Sequence, residues 1–232
     1  MVDADRIVDF HSHILPRLDH GSDSVETTRF QLRLAEKCGI NKIIATSHFY
    51  PNEHSLDQFI KKRENAYRAL LESCGGRVDV RLGAEVLLCN GLDHLSGLEN
   101  LCIFGTKYLL LELPFTSYCE EYTATIFRLM DSGYKVILAH ADRYPKNLID
   151  KLLTYGVKLQ LNANSLVGFN RLKNKHLLKW ISKGFVVALG SDIHGRNSQA
   201  YAKLRRAYKL TSQVSNVIVN ESFKIFSESE KF

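Results

Sequence analysis

Imidazole and carboxylate groups gather at a few places in this 232-residue chain. His11 and His13 end the run IVDFHSH, and His20 follows just before Gly21. His48 closes NKIIATSH, Glu85 lies in RLGAEV, Glu112 in LLLELP and His140 in VILAH, while Asp192 and His194 share GSDIHG. These positions hold six of the nine histidines, together with three carboxylates. Residues i and i+2 of a strand point to one face, so His11 with His13, and Asp192 with His194, can turn toward a common point. A single strand-end histidine is more often a hydrogen-bonded polar residue than a ligand. Glu112 is harder to explain that way, because a carboxylate among leucines is costly to bury unless it is paired or metal-bound. Nine such groups in one low-dielectric place need cations to satisfy them, and imidazole with carboxylate suits Mn, Fe or Zn. At three or four donors per ion they could serve two or three divalent metals, with a carboxylate as bridge.

That convergence requires elements that bring distant residues to one rim. Seven β-rich runs are expected, at 6–13, 41–48, 78–86, 107–114, 134–140, 157–164 and 185–194, alternating with amphipathic stretches near 24–38, 56–73, 119–132, 146–155, 171–183 and 197–210. Gly39, Gly133, Gly156 and Gly184 each stand just before a strand, where a helix ends in left-handed backbone. Near-continuous apolar strands between helices imply a parallel sheet buried on both faces, either a closed TIM-like barrel or an open wound sheet. In both, the carboxyl ends of the strands share the rim where sites are built.

Composition narrows the class. Hydrophobic residues make up 45% and charged residues 24%, ordinary for a globular protein, and the length fits one α/β domain over 1–232, with 223–232 expected to fray as a polar tail. No apolar window is long enough to span a membrane, and the N-terminus lacks the pattern of a secretory signal. Five cysteines without CxxC spacing suggest reduced thiols and a cytoplasmic protein. The net charge of +6 reads as solvated helix faces, and no nucleic-acid partner or membrane insertion is expected. The segments 24–38 and 197–210 could offer surface for a homo-oligomer.

Taken in order, DFHSHILPRLDHG, IIATSHFYP, LGAEV, LLLELP, ILAHADRY, LQLNANSLVG and GSDIHG resemble the PHP metallophosphoesterases. Within that superfamily they resemble the bacterial manganese-dependent tyrosine phosphatases encoded with capsule and exopolysaccharide genes. The likeness runs from about residue 7 to residue 200. It implies a distorted seven-stranded (β/α) barrel with a trinuclear site. One metal would be held by His11, His13, Glu85 and Asp192, and a second by Glu85, Glu112 and His140. The third would take His48, His194 and position 20. The phosphatases carry Asp-Asp-Gly where this chain has Asp19-His20-Gly21, a histidine in the manner of the histidinol-phosphate branch. His20 is therefore assigned as ligand and Asp19 as its neighbour behind the site, with consequences for metal preference at that position. Asp142 also replaces a usual glutamate.

The chemistry implied is phosphomonoester hydrolysis, with a metal-bridging hydroxide attacking phosphorus in line. Arg143, three residues past His140, and Arg196, two past His194, are the candidate catalytic contacts to phosphate. The leading substrate is the phosphotyrosine tail of a bacterial tyrosine kinase in polysaccharide export. Alternatives are a small-molecule phosphatase of histidinol-phosphate or sugar-phosphate type, and a metal-binding module without activity. No cysteine has an arginine six residues on, and there is no GxxxxGK[ST], so cysteine-nucleophile and P-loop chemistries are not expected.

Overall fold

The Val-, Ile- and Leu-rich runs form parallel strands, and the amphipathic stretches between them form helices. The computed structural model describes residues 3–73, 76–114, 118–167, 175–230 and 232. Among these the strands are β1 (Asp9–Ser12), β2 (Lys42–Ala45), β3 (His48–Phe49), β4 (Asp79–Leu82), β5 (Glu85–Leu87), β6 (Tyr108–Glu112), β7 (Lys135–Leu138), β8 (Lys158–Asn162) and β9 (Val186–Gly190). They form two ladders, β1-β2-β4 and β3-β5-β6-β7-β8-β9, every pair parallel.

The second and third expected runs each appear as two strands, broken at Thr46-Ser47 and at Gly83-Ala84. Backbone bonds carry the pairing across both breaks. Thr46 N–H donates to Ser12 C=O, Gly83 N–H to Ala45 C=O and Glu85 N–H to Ser47 C=O, at 2.9, 2.9 and 3.1 Å. Asp192 N–H donates to His11 C=O at 2.9 Å, which sets the end of β9 beside β1.

The helices are α1 (Val25–Lys37), α2 (Leu56–Ser73), α3 (Glu120–Asp131), α4 (Lys146–Leu153), α5 (Ala163–Val167), α6 (Lys175–Ser182), α7 (Ala200–Thr211) and α8 (Val217–Glu228). The start of the expected helical stretch 171–183, at 171–174, and the Gly168 that ends LQLNANSLVG lie outside the described residues. Ser24 caps α1, its side chain accepting from Thr27 N–H. After α1, α3 and α6 the chain leaves through Gly39, Gly133 and Gly184 at φ of 70°, 89° and 71°. Each exit is locked by a bond spanning the turn: Ile40 N–H to Ala35 C=O, Tyr134 N–H to Leu129 C=O and Phe185 N–H to Trp180 C=O.

One expectation needs correction. Residues 223–232, read as a frayed tail, are helical to Glu228, and Glu230 N–H donates to Phe104 C=O at 3.0 Å. The reason is apolar burial. Ile225 and Phe226 pack with Val8, Phe10, Ile44 and Leu110 in a cluster of strand side chains. The main core lies under the other helices, where Trp180 and Tyr201 are buried; Tyr208 is buried too and its hydroxyl donates to Val8 C=O at 2.7 Å. The cysteines Cys38, Cys89, Cys102 and Cys119 are free thiols, and Cys74 lies outside the described residues. No helix among the described residues is long and apolar enough to cross a membrane.

Candidate metal centre

The parallel ladders carry the expected ligand residues to one rim: Glu112, His140, Asp192 and His194 stand at or just past the carboxyl ends of β6, β7 and β9, and His48 and Glu85 open β3 and β5 three residues beyond β2 and β4. In register, His48 pairs with Glu85, and Leu87 with Glu112. Four sets of three donor atoms result, the atoms of each set within 4.8 Å of one another: His11, His13 and Asp192; His11, Glu85 and His140; His48, Glu85 and Glu112; His13, His48 and His194. Glu85 is central. Its Oε2 lies 3.0 Å from His11 Nε2, 3.3 Å from His13 Nε2 and 3.1 Å from His48 Nδ1, and its Oε1 lies 2.8 Å from His140 Nε2. His11, His13 and Glu85 are wholly buried.

Residues behind the rim turn the imidazoles. His13 Nδ1 is 2.8 Å from Asp19 Oδ2, His11 Nδ1 is 3.2 Å from Gln160 Oε1, and His140 Nδ1 is 2.9 Å from Asn162 Oδ1. Each acceptor calls for a proton on Nδ1, which leaves the Nε2 lone pair facing the centre. Gln160 Oε1 also accepts from His140 N–H at 2.9 Å, and its amide nitrogen donates to Asn162 Oδ1 at 3.1 Å. Asn162 Nδ2 donates to Asp192 Oδ2 at 3.0 Å, and Asn162 N–H donates to Asp142 at 2.8 Å. Asp19 further accepts from His48 N–H and Gly21 N–H. Asp9 accepts from the backbone and hydroxyl of Ser191, at 2.8 and 2.6 Å, directly before Asp192.

His140 and Asp192 hold left-handed backbone, φ 50° and 52°, a conformation that costs energy outside glycine and aims both side chains at the centre. Two glycines let strands and loop close up. A Cβ on Gly21 would stand 2.0 Å from His13 Cβ, and one on Gly190 would stand 2.4 Å from His11 Cβ.

These donors suit divalent cations. His48 Nδ1, Glu85 Oε1 and His194 Nε2 are buried without a hydrogen-bond partner among the described residues. The short contacts of Glu85 to His48 and His140 thus bring lone pairs together without aligned hydrogens. His11 Nε2 and His13 Nε2, both turned inward, are only 3.1 Å apart.

The electrostatics agree. Burial alone would raise Glu85, but the charges and hydrogen bonds of His11, His13 and His140 hold its pKa well below the usual range. Burial raises Asp192 and Asp19 as well. In Asp192 it is overcome by His13, His11 and His140, and in Asp19 by His13, so both are lowered. His13, although burial opposes it, is raised by Asp19, Asp192 and Glu85: this cluster of carboxylates demands positive charge. Burial, followed by the neighbouring Glu85 charge, pushes Glu112 up to about 7, and burial lowers His48 to about 4. Burial also lifts Asp9 to about 7.

The centre opens into a cavity of about 700 Å3 whose walls include Tyr50, Leu87, Pro114 and Arg143. Arg143 reaches Asp192 Oδ2 at 2.5 Å with a half-exposed guanidinium at the cavity wall. His20 also lines this cavity, its ring centroid 4.6 Å from that of His194 and 4.9 Å from that of His48, but its nitrogens belong to none of the four donor sets. Arg196 is placed elsewhere. Its Nε points to Thr27 Oγ1 at 3.5 Å, and it lines a separate groove along α1. The expected ligands are therefore together apart from the nitrogens of His20, whereas the two arginines are not.

Sequence reasoning assigned no role to Gln160, Asn162, Asp9 or Tyr50. A signal for the first two existed: they alternate with Leu159 and Leu161 along a buried strand, and polar groups at a buried spacing of two call for partners.

Comparison with known proteins follows the same lines. The sequence profile of capsular polysaccharide synthesis, CpsB/CapC, matches residues 7–225. CapC of Staphylococcus aureus is 28% identical over 206 residues, 84% of this chain and 80% of that protein. The tyrosine-protein phosphatase YwqE of Bacillus subtilis is 25% identical over 218 residues, 89% of this chain and 85% of its own. Among solved structures, one from the crystal structures of YwqE from Bacillus subtilis and CpsB from Streptococcus pneumoniae, described as unique metal-dependent tyrosine phosphatases, superposes with a TM-score of 0.79 at 21% identity. It covers 97% of this chain and 96% of its own. A phosphotriesterase homology protein from Escherichia coli, with phosphate in its active site, gives a TM-score of 0.55 at 15% identity, over 97% of this chain and 99% of its own.

Proposed function

The chain belongs to the CpsB/CapC family of capsular polysaccharide synthesis, and from that membership we propose that it is a metal-dependent phosphomonoester hydrolase acting on phosphotyrosine in a protein. The substrate proposed is the tyrosine tail of a bacterial kinase of capsule or exopolysaccharide assembly, in the cytoplasm. The observation that carries this reading is the convergence of five imidazoles, Glu85, Glu112 and Asp192 into four overlapping donor sets, two of which share Glu85. The names of the relatives, tyrosine-protein phosphatases among them, support it.

His11, His13, His48, Glu85, Glu112, His140, Asp192 and His194 are the proposed ligands of two or three divalent ions. Mn is the first candidate, and Fe or Zn suit the same donors. His20, stacked on His48 and His194, is proposed to join their set by a turn of its ring. Such ions, when bound, supply Lewis acidity to the phosphoryl oxygens and to water.

The protein's own side chains do the rest. Asp19, Gln160 and Asn162 hold three rings in the tautomer that presents Nε2. Arg143, paired with Asp192 at the cavity wall, would exchange that carboxylate for a phosphate oxygen, giving a charge-assisted contact as charge builds in the transition state. Tyr50, Leu87 and Pro114 offer an apolar wall to the substrate's aromatic ring. Its phenolate, with a pKa of about 10, leaves with less need of a strong acid than a serine alkoxide. The same reading treats 1–232 as one domain and the two ladders as one distorted (β/α) barrel of seven runs, for which the bonds from Thr46 to Ser12 and from Asp192 to His11 speak.

A phosphatase for a small molecule, such as histidinol phosphate or a sugar phosphate, is favoured by one feature: His20 at the cavity wall where the phosphatases carry aspartate. The test is a metal analysis of the purified protein, with activity measured after chelation and selective add-back on a phosphotyrosine peptide and on histidinol phosphate. Metal-dependent turnover of the peptide, faster than of histidinol phosphate, is expected. Faster use of histidinol phosphate would transfer the assignment to the second reading.

A further inference from the structure

A second concave surface lies next to the metal centre. It encloses about 430 Å3 along α1, with Arg29, Arg33, Lys37 and Arg196 around it, Phe30 and Leu34 in its floor, and Glu26 as its one carboxylate. We propose that this groove binds an acidic segment flanking the phosphorylated tyrosine of the protein substrate, a role that rests on the tyrosine-phosphatase reading above.

Three observations carry it. The first is the helix spacing: residues 26, 29, 30, 33, 34 and 37 fall three and four apart, one stripe about 16 Å long, which an extended peptide of about five residues would cover. The second is charge. Four cations surround one carboxylate, and neither Arg33 nor Lys37 forms an ion pair among the described residues. The third is position. Arg196 stands two residues after His194, so the groove begins within about 7 Å of backbone from the metal centre. That junction is fixed: Gln31 Nε2 donates to Gly195 C=O at 3.0 Å, and Gly195 N–H donates to Gly21 C=O. A peptide with its phosphotyrosine at the centre can therefore lay neighbouring residues along α1. A membrane surface fits less well. Phe30 and Leu34 are half-buried in a concavity, and the exposed large apolar residues, Leu71, Tyr155, Leu178, Val214 and Phe232, are all elsewhere.

The experiment uses the metal-loaded protein, free phosphotyrosine, and two phosphotyrosine peptides of equal length, one with glutamate and one with glutamine at every flanking position. The glutamate peptide is expected to have a KM about tenfold lower, an advantage that shrinks as salt rises. R33E/K37E abolishes that preference and R33Q/K37Q weakens it, both with the parent's circular dichroism and Tm. Anisotropy of a labelled, unphosphorylated glutamate peptide gives a reading independent of turnover: binding to the parent, lost in R33E/K37E. Equal KM values for the two peptides, or a preference that survives R33E/K37E, overturn the groove's role and leave the phosphatase reading standing. Failure to hydrolyse free phosphotyrosine, with turnover of histidinol phosphate, defeats the tyrosine-phosphatase reading and the groove with it. Anionic phospholipid vesicles bound through Arg33 and Lys37, without peptide preference, also overturn the assignment.

Discussion

Three imidazoles at the centre present Nε2 because Asp19, Gln160 and Asn162 each take the proton on the opposite nitrogen. The value of such an arrangement is orientation, since a ring free to flip offers a lone pair only part of the time. Asn162→Ala or Asp19→Ala is therefore expected to lower metal affinity by about 10- to 100-fold while leaving the fold intact. Metal content after competition with a chelator, read beside circular dichroism, checks this, and an unchanged content would refute it. Arg143→Ala should do the opposite, keeping the metal content and cutting kcat/KM on the phosphotyrosine peptide by about 10-fold or more. The His13–Asp19 pair gives a dependence on pH. Asp19 is lowered below its ordinary 3.8, so in the metal-free protein its contribution is present above that pH and fades as acid is added. His13 is raised above 6.5, so its share is complete below that pH and is lost as pH climbs through its folded value. A divalent ion displaces the His13 proton, so its apparent affinity should increase from about pH 6 to pH 8. Calorimetric titration showing a flat affinity over that range would contradict the assignment.

Strands, turns and one late helix set these residues in place. His140 and Asp192 depart from ordinary backbone just past β7 and β9, and Gly21 and Gly190 let the chain approach His13 and His11 closely. A methyl group on Gly21 would meet the backbone oxygen of His13 at 2.5 Å, and one on Gly190 would meet Gln160 Nε2 at 2.8 Å. Gly21→Ala and Gly190→Ala should each cost about 1–3 kcal/mol and release metal, seen as a lower Tm with a lower metal content. The α8 helix acts at the far side of the same strands, where Ile225 and Phe226 cover Val8, Phe10 and Ile44. Phe226→Ala is expected to cost about 3–5 kcal/mol, and a denaturation midpoint equal to the parent's would show that α8 is dispensable. Sequence patterning pointed to the seven runs and six of the helical stretches because their apolar spacing and terminal glycines are local signals. It misread 223–232, because the polar SESEKF end follows two apolar side chains whose partners, from Val8 and Phe10 to Val187, are remote in the chain.

Taken whole, the molecule gathers buried charge at one rim, and metal-free protein must bear that charge alone. Removing the ions should thus lower stability. Each site filled at a hundredfold excess over its Kd contributes about 2.7 kcal/mol, or roughly 5–10 °C in Tm for a domain of this size. Thermal melts before and after chelation measure it, and identical melts would speak against any resident ion. The ligand types and their places at strand ends were legible along the chain, since strand periodicity and the cost of an unpaired carboxylate among leucines are properties of short segments. Only the folded chain decided three other matters. It turned Asp19 inward behind His13 and left His20 at the cavity wall; it sent Arg143 to Asp192; and it brought Arg196 to the stripe of Arg29, Arg33 and Lys37 on α1. Local spacing determines which face of a strand or helix a side chain occupies. Which distant side chains meet across that face depends on how the strands pair and how the loops close, and no short stretch of sequence contains that information.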